Sequence, residues 1–302
     1  MQSDTTGKVV DYTESAVSYS YSSEYDRSSQ EGNAFLGTLA SYSGGTLGDD
    51  PKEAVKARML ELLNEKYGIR EDDLVSAELE AVPAGPARWV GLDKGIVGGY
   101  GHDDRICVYT ALRAFLEADE PEYTSCLIFW DKEEIGSDGS TGASSRFFQY
   151  CVEDMAAAWE PETPFRRIMM NTKAISGDVH AAVDPDWQDR HEFKNAAFFG
   201  YGLSLCKFTG SRGKYGANDA HPEYIGWMRG VLDERAIPWQ MAELGKVDMG
   251  GGGTVALFLA AYGMDVMDAG PALLGMHSPF ELASVPDLYS AKLAYQAFFE
   301  AK

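Results

Sequence analysis

The sequence is short of several things. It holds four cysteines in 302 residues, at Cys107, Cys126, Cys151 and Cys206. No two have the C-x-x-C spacing of a zinc knuckle or a redox pair, and four are too few for a disulfide scaffold, so a reducing cytoplasm is the expected compartment. Basic residues are scarce: 26 Lys and Arg against 47 Asp and Glu give a net charge of −21. Such a chain repels polyanions, which argues against nucleic acids and anionic membranes as partners. No apolar run approaches the roughly 18 residues of a spanning helix, and the first residues, MQSDTTGKVVDYTES, lack a basic stretch followed by an apolar one. Histidine is also rare, with five in all and none in the first 90 residues.

Apolar residues make up 45% of the chain, enough for a sizeable core. Residues 1–45 carry ten serines and five tyrosines. The alternation in VSYSYSSEY suits an edge strand, and disorder fits the same composition. A helix is expected over 51–67, with Gly68 closing it, and a strand and connector over 77–93, with a domain boundary near 88. Beyond that, buried strands are expected at 124–131 (TSCLIFWD) and 166–172 (RRIMMNT), and further strands within 196–208, IPWQMAE and PALLGM. Helical patterns cover 105–118, 142–159, 221–235, 254–263 and 282–300. Strands alternating with helices predict an α/β fold, a mixed central sheet flanked by helices, with ligands at the carboxyl ends of strands.

Acidic residues and a histidine recur where strands should end. Glu133 and Glu134 follow the apolar run CLIFW. One of two adjacent carboxylates can hold a metal while the other acts as general base, although a solvated loop also carries such pairs. Asp103 opens a helix in HDDR, where an Asp is ordinarily a cap. Asp178 follows the run RIMMNTKAIS, and His277 ends the last apolar strand. Together Asp103, Glu134, Asp178 and His277 form a set that suits one or two divalent ions. Thr209–Tyr215 is a basic, Gly-containing turn with Arg212 and Lys214, and Met249–Thr254 is a glycine run that includes Gly251 and Gly252. Its amides suit a carbonyl or carboxylate oxygen. Hairpin turn and helix packing are the plainer readings of these two segments.

The order HDDR, WDKEEIGS, SGDVHAAVDPDW, GMHSPFE resembles the M18 family of metalloaminopeptidases, the aspartyl aminopeptidase type, over roughly residues 55–302. The resemblance implies a zinc-peptidase α/β catalytic domain (89–302) preceded by part of a dimerisation domain (1–88). It implies removal of N-terminal, often acidic, residues from peptides by a zinc-activated water, and homo-oligomers, commonly dodecamers. By the same resemblance Asp103 bridges two metal ions. Glu134 and His277 complete one site, Asp178 belongs to the other, Glu133 is the general base, and Arg212 and Lys214 lie on the segment that contacts an acidic substrate side chain, while Gly251 and Gly252 stay substrate candidates on the strength of their amides alone. The ions would be Zn2+, with Co2+ or Mn2+ as alternatives, and the Asp103–Asp104 bond would be cis. The family also carries an upstream His-x-Asp motif that supplies a ligand to the second metal. Here the only such triplet is His102-Asp103-Asp104. The expectation is therefore a chain without the first part of the catalytic domain and with a weakened second site. The alternative reading is a degenerate homologue that binds or assembles without catalysis.

Overall fold

A computed structural model describes residues 51–302, except 79, 81, 120, 213, 214, 244 and 247. The expectations for 1–45, and for Lys214, lie outside the described residues. The chain divides into two compact units, one ending at Ala84 and the other running from Gly85 to Lys302. In the first, α1 (Pro51–Tyr67) ends where predicted, because Gly68 takes a left-handed φ of 73° and donates back to the Asn64 carbonyl. A single turn, α2 (Glu71–Leu74), follows.

The second unit is a mixed sheet with helices against it. Its elements are β1 (Arg88–Val90), β2 (Ile96–Gly99), α3 (His102–Glu117), α4 (Phe147–Trp159), α5 (Phe165–Met170), β3 (Lys173–Ser176) and β4 (His180–Ala181). They are followed by β5 (Leu203–Cys206), α6 (Pro222–Glu234), β6 (Trp239–Met241), α7 (Ala256–Ala260), β7 (Asp265–Leu274), β8 (Glu281–Ser284) and α8 (Val285–Phe299). The eight strands run β1-β2-β8-β7-β5-β6, with β3 and β4 also on β7. β7 is the keel. It is parallel to β3 and β4 and antiparallel to β5 and β8, and its residues 266–273 are buried. A strand buried on both faces reads as a continuous apolar run, which is how PALLGM stood out. Gly270 lies at its middle because a Cβ there would sit 1.9 Å from the Asp178 carbonyl oxygen.

The main core lies between this sheet and α3, α6 and α8. It is built from Leu203, Leu205, Met228, Leu232, Met267 and the alanine stripe of α8, Ala291 and Ala294. Alanines at that spacing let a helix approach the sheet closely. A second core gathers Phe148, Met169, Leu259, Met264 and Val266.

The structure corrects several sequence expectations. Residues 166–172 are not a strand: the chain is helical from Phe165 to Met170, and the strand begins at Lys173. Pro164 occupies the helix N-cap, and of the apolar run Met169 is buried while Met170 is 70% exposed, the spread of consecutive residues around a helix. Residues 124–131 form no ladder among the described residues. Predicted helices also start late. The one expected from 142 begins at Phe147, and the one expected from 282 begins at Val285, because Glu281–Ser284 pairs with β2 and β7. The one expected over 254–263 is the five-residue α7.

Candidate metal centre

Four segments meet at one end of the sheet. Asp103 enters from the first turn of α3, where Asp103 and Asp104 leave helical geometry and the peptide bond between them is cis. Glu133 and Glu134 stand on a 3-10 turn (Glu133–Ile135) after the 124–130 run. Lys132 at φ 64° and Gly136 at φ 96° bracket that turn, and Ser137 closes it by donating to the Lys132 carbonyl. Gly142 is required beside it, since a Cβ would lie 2.0 Å from the Ser137 carbonyl oxygen. Asp178 follows β3, and His277 (φ 63°) sits in the turn between β7 and β8.

Two groups of donors result, sharing Asp103. In the first, His277 Nε2 lies 3.0 Å from Asp103 Oδ2 and 3.4 Å from Glu134 Oε1. Ligands held at 2.0–2.1 Å in a tetrahedron stand about 3.3 Å apart, so this spacing fits a zinc ion with one position left open. The Asp103 side chain is 8% exposed, whereas those of His277 and Glu134 are 63% and 59% exposed. The centre is thus anchored on one side and open to solvent on the other. In the second group Asp103, Asp104 and Asp178 offer carboxylate oxygens within 4.8 Å of one another. Removal from water, reinforced by the neighbouring carboxylates, raises all three. Asp103 is pushed up to about 6, Asp104 to about 8, and Asp178 well above the usual carboxylate range. Three such groups need protons or a cation.

Glu133 belongs to neither group. It lies close enough to feel Glu134, Asp103 and His277, and its pKa is raised by desolvation first and by Glu134 and Asp103 next. A carboxylate shifted upward beside a cation site is placed to accept a proton.

Three residues escaped the sequence reading. Glu281, at the end of GMHSPFE, is 2% exposed and bridges two ligands through their backbones. Its Oε2 accepts from the Asp103 N–H at 3.1 Å and its Oε1 from the His277 N–H at 2.7 Å. Asp104 carries no sequence signal apart from that of its neighbour Asp103. Asp268 is buried under the loops, where it accepts from the Thr254 hydroxyl at 2.5 Å, and burial raises it to about 6. A carboxylate paired with a hydroxyl 14 positions away carries no spacing signature, so only contact reveals it. His180 is buried and joins neither group, its Nδ1 has no hydrogen-bond partner among the described residues, and burial lowers its pKa to about 4.

The substrate-side candidates form a separate patch. Gly210 N–H donates to the Gly252 carbonyl and Arg212 N–H to the Gly250 carbonyl, both at 2.8 Å, so the basic turn and the glycine run are laced together. Arg212 is exposed and has no ion pair among the described residues. The Gly251 and Gly252 amides donate to no protein group among them either. No hydrogen bond or ion pair joins this patch directly to Asp103, Glu134, Asp178 or His277 among the described residues, although Thr254 of the glycine run holds Asp268, whose charge reaches Glu133 and Asp178.

Comparison with known proteins gives concordant results. A family model described as aminopeptidase I zinc metalloprotease (M18) matches residues 20–299. A probable M18 family aminopeptidase 1 of Thermotoga maritima is 53% identical over 257 residues, covering 84% of this chain and 57% of that one. The crystal structure of a Thermotoga maritima M18 aminopeptidase superposes with a TM-score of 0.78 at 52% identity, over 85% of this chain and 57% of that one. An aspartyl aminopeptidase of Caenorhabditis elegans is 27% identical over 80% of this chain and 52% of its own. The chain spans a little over half the length of the curated relatives it matches. No helix among the described residues is long and apolar enough to cross a membrane.

Proposed function

Because this chain belongs to the M18 family of zinc metallopeptidases, we propose that it works as a metal-dependent aminopeptidase centred on Asp103, Glu134 and His277. The observation that carries the reading is the spacing of those three donors, 3.0 and 3.4 Å about a single imidazole nitrogen. Three protein ligands and an open position are the pattern of a catalytic zinc site. A divalent ion held by Asp103, Glu134 and His277 would acidify a water and polarise a carbonyl.

The protein's own groups supply the rest. Glu133 Oε takes the proton of the attacking water and delivers it to the leaving amine, which its raised pKa favours at neutral pH. Asp178 and Asp104 face Asp103 from the other side and serve a second, weaker cation position. Arg212 supplies the positive charge that an acidic N-terminal residue seeks, and the Gly251 and Gly252 amides are available to a peptide oxygen. Residues 89–302 make the catalytic domain in this reading, and 1–88 belong to a dimerisation domain. A second reading, binding without turnover, is favoured by one feature: no histidine among the described residues joins the Asp103, Asp104 and Asp178 group.

The two readings part on one substitution. Glu133→Gln keeps the shape of the side chain and cannot accept a proton. Assayed on peptides with N-terminal Asp or Glu in added zinc, cobalt or manganese, it should lose about 10²–10⁴-fold in turnover while retaining metal. Equal turnover in the variant removes Glu133 from the mechanism. Absence of turnover in the unmodified chain with metal bound favours the binding reading.

A further inference from the structure

The buried stretch of β7, residues 266–273, contains a single ionisable side chain, that of Asp268, which is 1% exposed. A carboxylate in such a place is tolerated only when donors surround it. The groups that hold its pKa down against burial are three hydroxyls, those of Thr254, Ser176 and Thr209. Each belongs to a different segment. Ser176 is the partner of Asp268 on β3, two residues before Asp178. Thr209 opens the basic turn and closes its base. Its N–H donates to the Asn218 carbonyl at 2.9 Å, and its hydroxyl oxygen accepts from the Asn218 N–H at 3.2 Å. Asn218 Nδ2 in turn donates to the Val266 carbonyl of β7 at 3.2 Å. Thr254 ends the glycine run. It donates to Asp268 Oδ1 at 2.5 Å and accepts from the Ala256 N–H at the start of α7. Gly210 and Arg212 then bond the carbonyls of Gly252 and Gly250, so the two loops form one unit whose threonines face one carboxylate. Asp268 also acts by its charge on Glu133 and Asp178, which places the root of the loops within electrostatic reach of the metal centre.

We propose that Asp268 is a positioning residue for the N-terminal residue of the peptide: by gathering the Thr209 and Thr254 hydroxyls on β7, it fixes Arg212 and the Gly251 and Gly252 amides relative to the metal donors. β7 supplies the reference frame, because the same strand runs on to the turn that carries His277. The inference rests on the aminopeptidase reading for what is bound, and adds what holds the binding loops. Asp268 itself touches neither peptide nor metal. Without its carboxylate the two threonines lose their common acceptor, and the loops keep their mutual backbone bonds but not their anchor. Metal would stay bound, while Arg212 would no longer be placed to select an acidic residue.

The test reads binding, not turnover. The parent is the zinc-loaded 302-residue chain carrying Glu133→Gln. Titration calorimetry gives its affinities for the tripeptides Asp-Ala-Ala and Leu-Ala-Ala, and the Asp peptide should bind more tightly. Asp268→Asn keeps the volume and one acceptor oxygen but sets an amide donor against the remaining hydroxyls. Added to the parent, it should cut the preference for the Asp peptide about tenfold or more, with zinc retained after dialysis. Hydrogen exchange at the Gly210 and Arg212 amides should quicken by a similar factor. Thr209→Val together with Thr254→Val should reproduce both losses from the loop side and leaves β7 untouched, so this pair decides the matter if Asp268→Asn does not fold. Adding Asp268→Asn to the pair should cost little more, because all three changes remove the same contacts. An unchanged preference in either variant overturns the proposal, and so do losses that simply add in the triple variant. Loss of zinc along with the peptide also overturns it, by placing Asp268 in the metal centre. A parent that binds both peptides equally leaves Arg212 selecting nothing and overturns it as well. A parent that binds neither peptide removes the aminopeptidase reading, and the role of Asp268 with it, before any change at Asp268 is made.

Discussion

The two donor groups share Asp103 and differ in everything else. The open group mixes an imidazole with two carboxylates and exposes two of its three members to solvent. The closed group is three carboxylates gathered beside Cys107, a buried thiol whose pKa burial and Asp104 push well up. In the open group, histidine brings a neutral donor, so a divalent ion meets two negative charges and a water position. In the closed group, like charges in a poorly hydrated cleft hold protons until a cation replaces them. Affinity in the one rests on geometry, and in the other on displacing protons.

The largest effect expected breaks both groups at once. Asp103→Asn removes the shared carboxylate, and metal retained after dialysis should fall by more than about 100-fold in affinity, beyond the 10–100-fold typical of losing an outer partner. His277→Gln should empty only the open group. If both variants retain metal equally, the two groups are not linked through Asp103.

Glu281→Gln comes next. Gln can accept from one backbone N–H but cannot serve Asp103 and His277 symmetrically. Metal affinity should drop about 10–100-fold with the far-UV spectrum unchanged. Unchanged affinity would mean that the two ligands are held by their turns alone.

The closed group sets the pH dependence of the metal-free chain. Asp104 is raised from 3.8 to about 8 on folding. Its contribution to stability is fully present below about pH 4 and is lost as pH rises through about 8, and Asp103 and Asp178 act in the same direction. The thermal midpoint without metal should therefore fall between pH 5 and pH 8. Asp104→Asn, which mimics the protonated acid, should flatten that slope and stabilise the metal-free chain at pH 8 by about 1–3 kcal/mol. Metal binds the ionised form, so the gain in midpoint on adding zinc should grow over the same range. A midpoint that rises with pH in the metal-free chain would contradict the proton-loaded picture.

The smallest effect tests the loops. Thr254→Val keeps the shape and removes the hydroxyl that donates to Asp268. A loss of about 1 kcal/mol is expected, measured by urea unfolding, with metal affinity unchanged. A change in metal affinity would show that the loop reaches the ligands through Asp268, whose charge acts on Asp178 and Glu133.

Much of this was legible in the chain. The β7 run, the α6 and α8 helices, and the positions of Asp178 after β3 and His277 after β7 follow from apolar periodicity and from where polar residues interrupt it. What periodicity cannot report is the partner. It reads Arg166–Thr172 as a strand because the short run Ile168–Met170 fits a strand or a helix, and packing of Met169 chose the helix. It read Thr124–Asp131 as a buried strand from composition, and the residues do have that composition, but a strand is made by its neighbour. The donor types were likewise set by the sequence, since imidazole and carboxylate chemistry is local to each residue. Which of them meet, that Asp104 joins Asp178, and that Glu281 spans the backbones of Asp103 and His277 were decided only by tertiary structure. Those contacts join residues up to 178 positions apart, and no local rule of spacing reaches across such a distance.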